Sequence, residues 1–181
     1  MKKILTIVFA TLLVSSSAFA ADYGWSISAS STDPDINSGS IAPGAPANTY
    51  LWLNCSPVDG ISAVEADVQA TGLLYLSFTP LNGVLNAGAA TALLLAVGGC
   101  PTAPFLAGSI SVLNFGSGGD ICLVPSAANG TNASVDCDPI NPQLSDNAIA
   151  GFSTSGGGCV TMDCTTSVEP TSWSEVKGLY R

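Results

Sequence analysis

Seven short runs of β-forming residues, each closed by glycine, proline, asparagine or serine, constrain this chain more than any other feature. They are Tyr23 to Ala29, Tyr50 to Cys55, Ala63 to Ala70, Leu73 to Thr79, Thr91 to Val97, Leu106 to Phe115 and Asp120 to Val124. Runs of this length between turn formers read as strands of an all-β domain. Val64-Glu65-Ala66-Asp67-Val68-Gln69-Ala70 alternates small apolar with polar residues, giving one core face and one wet face, as in an antiparallel sheet. Leu93-Leu94-Leu95-Ala96-Val97 is apolar on both sides and is expected at the centre of a sheet. Leu81-Asn82-Gly83-Val84 carries the Asn-Gly pair that suits a tight hairpin turn. Two packed antiparallel sheets follow.

The order of these elements carries a resemblance. A strand from Tyr50 to Cys55 precedes Ile61 to Phe78, which reads ISAVEADVQATGLLYLSF, and a later run reads FLAGSISVLNF. Over about residues 48 to 138 this resembles the jelly-roll sandwich of cohesins and their carbohydrate-binding-module relatives.

Lys2 and Lys3, the apolar run Ile4 to Val14 and the small-residue site Ala18-Phe19-Ala20 have the form of a secretory signal peptide cut after Ala20. The expected mature chain keeps 13 acidic groups against Lys177 and Arg181 alone, a net charge of −11. Such a surface repels nucleic acid and anionic membranes. No later apolar run approaches the roughly 20 residues that span a bilayer. The expected location is outside the inner membrane: secreted, periplasmic or at the cell surface. All six cysteines, Cys55, Cys100, Cys122, Cys137, Cys159 and Cys164, fall in the mature part, and with no Cys-x-x-Cys pair and no histidine they read as three disulfides rather than a zinc site. Of the 15 possible pairings, proximity favours only Cys159 with Cys164.

Between Ile4 and Val176 there is no lysine, arginine or histidine. A Ser/His/Asp or Cys/His nucleophile pair is therefore excluded, and no cation within the domain can clamp a phosphate or carboxylate. Gly116-Ser117-Gly118-Gly119-Asp120 lacks the last glycine of a nucleotide fingerprint and reads as a hairpin loop. The remaining enzymatic option is a carboxylate pair. Glu65 and Asp67 project from one strand face, about 6.5 to 7 Å apart, as glycoside hydrolysis requires, although the same alternation places both on a wet face.

Oxygen-rich clusters offer calcium ligands: Asp33, Asp35 and Asn37 at alternate positions, and Asp136 with Asp138. Neither is a complete loop signature, and Asx-rich turns are the competing reading. Tyr50-Leu51-Trp52-Leu53 and Tyr23-Gly24-Trp25 each space two aromatics by two residues, so that Tyr50, Trp52, Tyr23 and Trp25 can form outward strips for stacking on sugar rings or another subunit. The alternative is a doubly buried strand with the N-terminal segment covering those rings.

After Cys164 the chain changes character. Ser172 and Glu175 form a capping-box pattern, and Trp173, Val176 and Tyr180 fall on one face of a short helix whose end carries Lys177 and Arg181. This tail resembles a Trp-Gly-x-Ile/Val-Lys-x-Leu-Tyr-Arg ending of exported proteins of environmental bacteria, with Ser174 in place of the glycine. A recognition peptide, packing on the protein's own surface, and disorder are all open.

The expectation is thus a signal peptide over 1–20, a disulfide-stapled antiparallel β-sandwich of jelly-roll, cohesin-like type over 21–165, and a tail with a short amphipathic helix over 166–181. The expected function is a non-catalytic secreted binding, adhesion or surface-structural module. A carbohydrate-binding module and a carboxylate-based glycoside hydrolase are the alternatives. No cofactor other than calcium is expected. The expected partner is an extracellular glycan or protein, self-assembly is open, and neither nucleic acid nor membrane insertion is expected.

Overall fold

The computed structural model describes residues 23–130, 132–140, 144–156 and 159, so the expected signal segment, Cys164 and the tail with its expected helix lie outside the described residues. Eleven strands are formed: β1 (Tyr23–Ser28), β2 (Pro46–Cys55), β3 (Ile61–Thr71), β4 (Leu73–Pro80), β5 (Val84–Asn86), β6 (Ala92–Val97), β7 (Phe105–Asn114), β8 (Asp120–Val124), β9 (Ala133–Asp136), β10 (Leu144–Ala150) and β11 (Phe152–Ser153). Among the described residues there is no helix. They form a two-sheet sandwich. One sheet runs β10-β1-β2-β7-β4. The other is centred on β3, with β6 and then β5 on one side, and on the other β9 and β8, each beside its own part of β3.

Alternation in β3 does what its sequence dictates: Val64, Ala66 and Val68 are buried while Glu65, Asp67 and Gln69 face outward. Near its start a register shift between Ile61 and Ala63 lets Ile61 and Val64 both point inward. A bulge of this kind adds one residue and re-aims the side chains before it. Trp25, Ile27, Leu51, Leu53, Ile110 and Val112 from the first sheet meet Leu93, Leu95 and Ile121 from the second, all at most 2% exposed. At about 25 cal/mol per Å² of apolar surface removed from water, this shared layer is the main favourable term in folding.

Four features depart from the expectations. Strand β10 pairs antiparallel with β9 through Leu144–Asp146 and then parallel with β1 through Asn147–Ala150, so it crosses between sheets and adds one parallel pair. The Asn-Gly turn is present, with φ of 50° at Asn82 and 80° at Gly83 and a 3.0 Å bond from the Val84 amide to the Leu81 carbonyl. It does not close a hairpin, because β4 pairs with β7 and β5 with β6: the turn carries the chain from one sheet to the other. The Gly116–Gly119 loop does the same between β7 and β8. Finally, Leu93, Leu95 and Val97 are buried, but Leu94 is 47% exposed and Ala96 faces solvent, because none of the described residues is layered over the outside of β6.

The disulfides also correct the expectation. Cys100 bonds Cys137, with Cα atoms 5.9 Å apart, and Cys122 bonds Cys159, with Cα atoms 5.8 Å apart. The expected Cys159–Cys164 pair is therefore absent. After β10 the chain returns along β8, where Phe152 pairs with Ile121, and this brings Cys159 to Cys122. Cys55 is disulfide-bonded as well.

Candidate binding face

Three of the four candidate aromatics are not available as a binding strip. Tyr23 and Trp25 are fully buried, and both are held by their polar ends: Tyr23 Oη donates to the Gly60 carbonyl and Trp25 Nε1 to Ser134 Oγ, each over 3.0 Å. Leu51 and Leu53 face the core as expected, so Tyr50 and Trp52 point outward, yet Trp52 is only 9% exposed. The cause is a strap. Residues following β1 fold back over the sheet, where Trp52 Nε1 donates to the Ser30 carbonyl over 3.0 Å, Ser28 Oγ to the Asp33 carbonyl over 2.6 Å, and Ser26 Oγ to the Pro34 carbonyl over 2.9 Å. Only Tyr50 stays half-exposed.

The first oxygen cluster builds that strap. Asp33 Oδ1 accepts the Asp35 amide over 3.0 Å, Asp35 Oδ1 accepts Asn54 Nδ2 over 3.1 Å, and Asn37 Nδ2 donates to the Ile27 carbonyl over 2.9 Å. The second forms two successive Asx turns, in which Asp136 Oδ1 accepts the Asp138 amide and Asp138 Oδ1 the Ile140 amide. Among the described residues no three His, Cys, Asp or Glu side chains converge.

Glu65 and Asp67 share the outer face of β3 and are both engaged by the loop after β8. Glu65 Oε1 accepts Asn129 Nδ2 over 2.7 Å, and Asp67 Oδ2 accepts the Ala127 amide over 3.0 Å. Asp67 Oδ1 is shielded and bonded to no protein group. The pair therefore pins a loop along β3. Sequence reasoning also missed a cavity of about 370 Å³ between β8 and β10, lined by Leu123, Val124, Ala148, Ile149 and the Cys122–Cys159 disulfide.

Among the described residues the face left open is the outside of β5 and β6, bordered by the part of β3 that holds the loop after β8. Leu85 is 70% exposed and Leu94 47%. Register places Leu85 opposite Ala96 and Ala96 opposite Ala63, while Leu94 lies opposite Glu65. Cross-strand neighbours sit about 4.5 to 5.5 Å apart, so these residues form one continuous patch, apolar toward β5 and acidic toward β3. Half of it was visible in the Glu65/Asp67 alternation. The other half was hidden because the apolar run 93–97 reads as doubly buried.

No protein-family model and no curated protein matches this chain. Solved structures do share its architecture. The sixth cohesin of scaffoldin B from Acetivibrio cellulolyticus, solved in complex with a Cel5 dockerin, is 14% identical with a TM-score of 0.51, and the match covers 79% of this chain and 100% of that one. The seventh ScaB type I cohesin from Pseudobacteroides cellulosolvens is 7% identical with a TM-score of 0.51, over 80% of this chain and 96% of that one. The cohesin–dockerin complex Coh-OlpC–Doc435 from Clostridium thermocellum gives 12% identity and a TM-score of 0.50, over 74% and 94% of the two chains. This chain is a disulfide-bonded β-sandwich with a cohesin-like fold.

Proposed function

We propose that this chain is a secreted, non-catalytic binding module that docks a protein partner on the outer face of β5, β6 and β3. The observation that carries the reading is the exposure of Leu85 and Leu94 beside the carboxylates of Glu65 and Asp67. Two leucines held outward on rigid strands serve as apolar anchors, and contiguous exposed apolar surface marks contact sites. The acidic charge of the whole protein sets the partner's chemistry: apolar side chains flanked by lysine or arginine, drawn in by long-range attraction. Disulfides support an oxidising, extracytoplasmic setting. Two of the similar structures are themselves complexes of cohesins with dockerins, which supports a protein as the partner.

The test is capture from the secreted proteins of the source cells on immobilised chain, comparing wild type with Leu94→Asp and Leu85→Asp. A specific protein retained by wild type and lost from both variants supports the reading. Equal retention by all three contradicts it.

A further inference from the structure

The two sheets divide the charge of this protein unequally. Strands β1, β2, β4 and β7 contain no Asp, Glu, Lys or Arg, although the chain carries 13 acids. Strand carboxylates lie on β3, β8, β9 and β10: Glu65, Asp67, Asp120, Asp136 and Asp146. On the charge-free sheet the strap covers β1, and Asp33 and Asp35 belong to that strap. Among the described residues the outer faces of β7, β4 and the first half of β2, up to Tyr50, stay open.

Register arranges that open face in rows. Thr79, Ser109 and Tyr50 stand side by side, then Ser77, Ser111 and Asn48, then Leu74, Leu113 and Pro46. None of these nine is buried. With strands about 4.8 Å apart and rows about 6.8 Å apart, they make a patch on the order of 10 by 14 Å. The six polar side chains in the first two rows make no hydrogen bond to another protein group among the described residues. Ser26, Ser28, Ser62 and Ser134, by contrast, are all bonded within the protein.

We propose that this face binds an uncharged polysaccharide. Four aliphatic hydroxyls, a phenol and an amide offer donors and acceptors to sugar hydroxyls, and the half-exposed Tyr50 ring offers a flat apolar surface against a pyranose. Electrostatics selects among occupants. A second copy brings another net charge of −9, an acidic polymer is repelled, and a basic partner gains more on the carboxylates of the opposite sheet. A neutral polymer pays none of these penalties. The site is separate from the protein-docking face and stands or falls independently of it.

Depletion of the purified full chain by microcrystalline cellulose, chitin and insoluble mannan tests this. At least one polymer should deplete the protein, with binding reduced at least tenfold in Tyr50→Ala and Ser111→Asp and unchanged in Leu94→Asp. Raising salt to 1 M should leave binding within twofold, since no ion pair is used. Thr79→Glu, on the exposed edge strand, replaces Ser111→Asp if that variant does not fold. Depletion by none of the three polymers overturns the proposal, as does a loss in Leu94→Asp equal to that in Ser111→Asp. A concentration-dependent dimer abolished by Ser111→Asp, without depletion, would assign the face to a second copy and also overturn it.

Discussion

Trp25 Nε1 donates a 3.0 Å hydrogen bond to Ser134 Oγ across the core, and Ser134 Oγ in turn donates to Asn147 Oδ1 over 2.6 Å. Three strands far apart in the chain, β1, β9 and β10, are thereby tied at the point where β10 changes sheets. Ser134→Ala should leave the Trp25 N–H buried and unpaired, at a cost of about 1–3 kcal/mol. Urea denaturation checks this, with Ser109→Ala, on the outer face of β7, expected to cost less.

The disulfides close two loops of equal sequence separation, 37 residues each. Chain-entropy arguments put the contribution of such a loop at about 4 kcal/mol. Non-reducing peptide mapping should recover Cys100 linked to Cys137 and Cys122 linked to Cys159, and no Cys159–Cys164 peptide. Trypsin is useless for this, since nothing between Lys3 and Lys177 is a cleavage site. Chymotrypsin or pepsin is required. The double variant Cys100→Ser/Cys137→Ser should lower the denaturation midpoint strongly.

Tyr75 Oη donates to the Ala90 carbonyl over 2.9 Å, and burial raises its phenol above the ordinary tyrosine value. A folded-state pKa above the unfolded value makes a contribution that is complete below about pH 10 and lost as pH rises through the folded value. Stability should therefore fall on titration above that pH, and Tyr75→Phe should flatten the fall. Chemical denaturation at pH 8, 10 and 11 measures both.

What the sequence disclosed, and what it hid, has a physical pattern. All seven expected strands form, because each is a local run with its own periodicity and turn formers, and the cohesin-type order of those runs was readable for the same reason. β5, β9, β10 and β11 were missed: Val84–Asn86 and Ala133–Asp136 are short and Leu144–Ala150 is polar, and β9 and β10 exist through pairing with distant strands. The covering of Trp52 was hidden by a comparable effect. Ser26 and Ser28 give β1 an apparent wet side, yet both are fully buried beneath the strap that their own hydroxyls hold. Cysteine pairing could not be read from spacing, because Cys159 is placed by the β8–β11 pairing rather than by its neighbours in sequence.

The candidate site was legible only on its acidic side. Glu65 and Asp67 announced an outward face through alternation, whereas Leu85 and Leu94 become surface residues because none of the described residues covers β5 and β6. Leu85→Asp should change stability by no more than about 0.5 kcal/mol, as solvent-facing substitutions do, and Leu94→Asp should cost somewhat more, up to about 1 kcal/mol, because it faces Glu65 across the strands. Thermal denaturation of both variants beside wild type checks this and separates loss of binding from loss of fold.

The most direct test of the docking account is hydrogen–deuterium exchange of the intact protein with and without its captured protein partner. The account predicts slowed exchange confined to β5, β6 and the adjoining part of β3, with β2, β4 and β7 unchanged. Protection over β2, β4 and β7 instead, with β5 and β6 exchanging as in the free protein, would contradict it.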